Sequence, residues 1–199
     1  AYADIKVVAS IKPIHSLASY LMDGVGKPDL IVDGYASPHG FAMKPSHAKM
    51  LQNADLIFWV GEDLENFLEK PLKSIAKKAE KIELMEIKGL KKLEFRERNI
   101  FESHSDHGHG HKKDKHDDHK EHGHKEDKHD DHKGHAHGEH DPHIWLDPMN
   151  AKVILSEMAE HLIENDQENA SKYKANLKKA HKDLDKLIKK VKSELNKDF

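Results

Sequence analysis

Fourteen of the 19 histidines in this 199-residue chain lie within forty residues, from His104 to His143, and the other 159 residues hold five. Imidazoles at that density, interleaved with aspartate and glutamate and with no cysteine in the chain, are ligands for borderline divalent cations such as Zn2+, Ni2+ or Cu2+. Neighbours such as His107, His109 and His111, or His122 and His124, can close small chelate rings in a flexible segment. The expected auxiliary ligands are His104, His107, His109, His111, His116, His119, His122, His124, His129, His132, His135, His137 and His140. Intrinsic affinity places Cu2+ above Zn2+, so a tract of this kind cannot select zinc by itself; geometry elsewhere must do so.

The tract is low in complexity. His111 to Gly123 and His124 to Ala136 are near-repeats of 13 residues, identical at 10 positions. Ala136 is the single apolar side chain between His104 and His143, so nothing there offsets the entropy of ordering, and residues 103–142 are expected to be a disordered loop without metal. With those forty residues set aside, the apolar share of the chain rises from 36% to roughly 45%, the proportion of an ordinary globular domain. A net charge of −3 argues against nucleic acid as a partner. Without cysteine there is no disulfide framework and no thiolate site, and no apolar run is long enough for a transmembrane helix. Ala1-Tyr2-Ala3 has the small-x-small pattern of a secretory cleavage site, so these residues are expected to be the tail of a removed signal peptide.

Compact apolar segments alternate with helical patterns on either side of the tract. Ile5 to Ser10, Leu30 to Val32, Leu56 to Val60 and Lys81 to Glu86 read as strands. Between them fall helices near Ile14 to Met22, from Pro45, and over Glu62 to Leu68 and Pro71 to Ala79, the last two split by Pro71. That order predicts an α/β fold, a parallel sheet with helices on both faces. After the tract, residues 143–148 read as an extended segment leading into a helix capped by Asp147 and opened by Pro148. A second helix begins near Glu168, and its apolar positions Tyr173, Leu177, Ala180, Leu184, Leu187, Val191 and Leu195 step by four and three. At about 40 Å it is longer than one small sheet needs for cover, which suits a strut between two lobes.

Two histidines sit where chemistry can be organised. His39 lies in the connection after the second strand, at the carboxyl end where open α/β sheets place ligands, and His143 opens the segment before the capped helix. The other four, His15, His47, His161 and His181, read as surface residues, and Trp59 and Trp145 as core.

Residues 33–68, including Ser37-Pro38-His39-Gly40, Leu51-Gln-Asn-Ala-Asp55 and Trp59-Val-Gly61-Glu-Asp-Leu-Glu65, resemble the metal-binding region of the cluster A-I solute-binding proteins, which serve zinc and manganese ABC importers. Asp141-Pro-His143-Ile-Trp-Leu-Asp-Pro-Met-Asn150 is similar to the second histidine motif of that family, and a histidine- and acid-rich loop just before it is typical of the zinc-specific, ZnuA-like branch. The resemblance implies two α/β lobes joined by one long rigid helix, with metal held between them. His39 and His143 match the ligands of the first lobe, whereas a third histidine and a carboxylate come from a second lobe that has no counterpart in these residues. Pro38 stands where some zinc members have an acidic residue, so no carboxylate is carried over there. On this basis residues 4–165 form the N-terminal lobe, 103–142 its inserted loop, and 166–199 the interdomain helix, with the C-terminal lobe absent.

The function implied is that of a monomeric periplasmic protein that binds Zn2+ and hands it to an ABC permease, with periplasmic zinc chaperones as further partners. A histidine-rich zinc buffer or chaperone, or a manganese-specific member of the same family, are the alternatives. No His-Glu-x-x-His helix, Gly-x-Ser-x-Gly elbow or P-loop is present, so an enzyme is not expected.

Overall fold

The computed structural model describes residues 5–33, 37–92 and 141–197; the histidines from His104 to His140 and the Ala1-Tyr2-Ala3 segment lie outside them. Strands β1 (Val7–Ile11), β2 (Asp29–Val32), β3 (Leu56–Trp59) and β4 (Glu80–Glu83) form one parallel sheet in the order β2-β1-β3-β4. Every residue of β1 and β3 is buried, as β-branched and aromatic runs in central strands must be, whereas β2 and β4 at the edges carry polar residues such as Asp29, Glu80 and Lys81.

The chain moves one way across the sheet from β1 to β2 and the other way from β2 to β3 and β4. Right-handed crossovers therefore put α1 (Lys12–Leu21) on one face and α2 (Pro45–Asn53) and α3 (Asn66–Ser74) on the other. α4 (Pro148–Asn165) and α5 (Ala170–Leu195) pack with α1, giving three layers around an apolar core that includes Ile14, Leu21, Phe58, Leu68, Ile154 and Leu162.

Three expectations from sequence are corrected. Pro71 lies inside α3 instead of separating two helices. It forgoes one backbone bond, but Leu68 and Leu72, a turn apart, are both buried and hold the helix to the core, and the helix ends one turn later with the Ile75 N–H donating to the Pro71 carbonyl at 2.8 Å. The fourth strand stops at Glu83, and Leu84–Glu86 is a 3-10 turn whose buried Leu84 and Met85 close over the sheet. The segment before α4 is not extended. Ile144–Leu146 is a 3-10 turn anchored by the buried Ile144.

The capped start of α4 is as expected: the Met149 N–H donates to Asp147 Oδ1 at 2.8 Å, with Pro148 at the first position. Asp147→Ala should therefore cost about 1 kcal/mol, read as a lower urea midpoint at unchanged slope.

The 26 residues of α5 extend about 39 Å. Tyr173 and Ala180 are buried and Leu177 and Leu184 half-buried, while His181 Nε2 lies 3.0 Å from the Lys152 carbonyl and Lys152 Nζ 2.7 Å from Asp185, which ties this part of the helix to α4. Farther along, Leu187, Val191 and Leu195 are 49%, 49% and 59% exposed, so the apolar seam continues past the body that covers its first half.

Candidate metal site

His39 and His143 reach the same end of the sheet by different routes. His39 follows the carboxyl end of β2. For His143 the direction of α4 decides: its last residue, Asn165, donates to Glu80 Oε2 at the start of β4. Near its first turn, Asn150 exchanges two 2.8 Å hydrogen bonds with the backbone of Lys91, beyond the end of β4. α4 thus runs antiparallel to the strands, and His143, just ahead of it, sits at their carboxyl end. That end, where β1 and β3 mark the reversal of strand order, is where open α/β sheets bind ligands.

The His39 ring is exposed on a turn in which the Ser37 hydroxyl accepts from the His39 N–H at 3.2 Å and Gly40 adopts φ +82°, a conformation that costs other residues strain. Two residues on, Phe41 packs against Phe67 of α3 and His47 of α2, with ring centroids 4.9 and 5.3 Å away. His47 is more than a surface residue: its Nδ1 accepts from the Lys44 N–H at 2.9 Å and closes the start of α2. The exposed His39 is therefore carried by a segment pinned at its far side.

His143 is held more tightly. Asp141 Oδ1 accepts from the His143 N–H at 2.9 Å and lies 2.7 Å from its Nδ1, a carboxylate partner that leaves Nε2 as the free nitrogen. Those two bonds hold the Asp141 carboxyl below the usual carboxylate range. Trp145 meets the imidazole edge-on at 5.4 Å, and Leu146 and Met149 beside it are 72% and 60% exposed, an apolar rim around a polar ring. Among the described residues, neither His39 nor His143 belongs to a group of three ligand atoms; the one such group, Glu80, His161 and Glu164, is at the other end of the sheet.

Sequence reasoning assigned no role to Glu65, the last residue of a motif, yet it has no exposed surface. Its Oε1 accepts from the Val60 and Gly61 N–H groups at 2.7 and 2.9 Å and closes the turn between β3 and α3. Burial pushes its carboxyl up to about 7, against the downward pull of Ser10, Gly61 and Val60. The Ser10 hydroxyl is close enough to exert that pull, yet neither its Oγ nor Glu65 Oε2 completes a well-formed hydrogen bond. The only trace in the sequence is an acid closely following a buried strand and a glycine, a pattern with many other meanings.

The family model for ZnuA, zinc-uptake complex component A, periplasmic, matches residues 7–198. The chain belongs to the ZnuA family. Among curated ZnuA proteins, the high-affinity zinc uptake system protein of Brucella abortus is 45% identical over 193 residues, covering 95% of this chain and 58% of the relative. That of Yersinia pestis is 33% identical over 181 residues, covering 89% and 52%. This ZnuA-family chain thus spans little more than half the length of the relatives it matches. Its fold is shared by the Mn-bound periplasmic metal binding protein of Candidatus Liberibacter asiaticus, with a TM-score of 0.68 at 20% identity over 96% of this chain and 57% of the other. The metal-dependent lipoprotein YcdH of Bacillus subtilis has a TM-score of 0.64 at 19% identity, covering 94% and 54%.

Proposed function

We propose that this ZnuA-family chain forms the first lobe and linking helix of a periplasmic zinc-binding protein, which captures Zn2+ as cargo and passes it to an ABC permease. The observation that carries this reading is the pair His39 and His143 at the carboxyl end of the sheet, the second with Nε2 freed by Asp141, in a chain matched by the ZnuA family model from 7 to 198. Zinc is favoured over manganese because the curated relatives are named for zinc uptake, and because the tract supplies many histidines. The lobe is residues 4–165 with 103–142 as a collecting loop, and 166–199 is the strut.

Two imidazoles at about 2.0 to 2.1 Å fill half of a tetrahedral shell. The relatives' greater length, the apolar rim of Leu146 and Met149, and the exposed seam of Leu187, Val191 and Leu195 support a second lobe that supplies the remaining ligands and covers these surfaces. A histidine-rich zinc buffer remains the second reading, favoured by the density of the tract.

Zinc titration calorimetry separates the two readings, using the full chain, the chain without residues 103–140, and that shortened chain with His39→Ala and His143→Ala. The importer reading requires the shortened chain to keep one Zn2+ that the doubly substituted chain loses. Loss of all binding together with the tract would give the buffer reading the lead.

A further inference from the structure

His161, which reads from sequence as a surface residue on a charged helix, is mostly buried among three carboxylates at the amino end of the sheet. Its Nδ1 lies 2.6 Å from Glu80 Oε1 at the start of β4 and 3.7 Å from Glu164 Oε2 one turn along α4. Its Nε2 is 3.1 Å from Glu157 Oε1 on the preceding turn. We propose that His161 Nδ1, Glu80 and Glu164 form a second site for a borderline divalent cation such as Zn2+, separate from His39 and His143.

Four features point to a cation. First, Nδ1 has no accessible surface and no well-formed hydrogen bond, although carboxylate oxygens approach it from two elements. In the tautomer that donates Nε2–H to Glu157, Nδ1 would present a lone pair to those oxygens, and a metal would turn that mutual repulsion into shared coordination. Second, the spacing fits. Tetrahedral zinc with bonds of about 2.0 to 2.1 Å sets its ligand atoms roughly 3.3 Å apart. The 2.6 and 3.7 Å separations lie on either side of that value, and the three ligand atoms are all within 4.8 Å of one another.

Third, the outer contacts are those of a supported site. Glu157 holds the far ring nitrogen, and Asn165 Nδ2 donates to Glu80 Oε2 at 2.8 Å, leaving Oε1 aimed at the imidazole. Fourth, the charge is unbalanced: among the described residues no lysine or arginine pairs with Glu80, Glu157 or Glu164, and a single imidazole offers at most one positive charge against three carboxylates. One histidine and two carboxylates leave a fourth position open to water. A cation here would staple the end of α4 to β4.

The test is a ZnCl2 titration of the full 199-residue chain, labelled with 15N in its histidine rings and followed by long-range nitrogen–proton spectra, with His161 assigned from His161→Gln. The expected result is a saturable shift of His161 Nδ1 to a metal-bound position, while Nε2 keeps its proton. That shift should be lost when Glu80→Gln and Glu164→Gln are combined. A His161 signal that stays put while the other histidines saturate would overturn the site, as would an unchanged shift in the combined variant. Should the combined variant misfold, Glu157→Ala serves: it should weaken the zinc response about 10- to 100-fold, and an undiminished response overturns the proposal. The His39 and His143 signals in the same spectra report on the other site separately.

Discussion

Glu65→Gln is expected to leave stability near pH 4 almost unchanged and to raise it by about 3 kcal/mol at pH 8. The carboxyl is buried and its folded value is raised from 4.5 to about 7. Between those values the native state binds the proton that the unfolded chain releases. The contribution of the protonated group is therefore complete below about 4.5 and is lost as pH rises through about 7. Glutamine presents the same carbonyl acceptor to the Val60 and Gly61 N–H groups and never ionises. Urea unfolding of both chains at the two pH values measures the difference, and parallel stability curves would refute the assignment. Alanine is the informative contrast, since it strands two buried donors at about 1 to 3 kcal/mol each and destabilises at both pH values. The consequence reaches His39, because the turn closed by Glu65 starts α3, whose Phe67 packs against Phe41 two residues beyond that histidine.

The two central strands were legible because their cores are continuously apolar, the signature of a strand covered on both faces: Val7 to Ala9 and Leu56 to Phe58 admit few other readings. The N-cap at Asp147 was equally plain, as its carboxylate and the following proline act over a few residues. What misled was context. Pro71 has the same local chemistry inside α3 as at a helix boundary, and only the burial of Leu68 and Leu72 on either side decides between them. His161 stands among Glu157, Glu160 and Glu164 in a stretch that looks solvated, and the residue that makes it notable, Glu80, is 81 positions away in sequence and becomes its neighbour because α4 runs antiparallel to β4. Glu65 escaped for a related reason: it is buried at the end of β3 beside Ser10 of the paired strand β1, a neighbourhood that no local pattern records. His39 and His143 were readable as motif residues, whereas their common position at one end of the sheet depends on the direction of α4.

Asp141→Ala in the chain lacking residues 103–140 is expected to weaken the zinc binding proposed for His39 and His143 about 10- to 100-fold while leaving the fold intact. The carboxylate does two things through one oxygen, receiving the His143 N–H at 2.9 Å and fixing Nδ1 at 2.7 Å. Removing it frees the backbone of the turn and lets the ring choose either tautomer and rotate, so binding must then order what is now ordered in advance. Asp141→Asn separates these roles: its carbonyl oxygen still accepts the backbone N–H, but the negative charge that strengthens the imidazole as a ligand is gone. Its affinity should fall between those of alanine and aspartate, as calorimetry with Zn2+ would show. Equal affinity in all three would mean that Trp145, packed against the ring edge at 5.4 Å, orients His143 by itself. The hydrogen bonds would then serve the turn, and the selectivity of the site would have to come from the ligands that complete it.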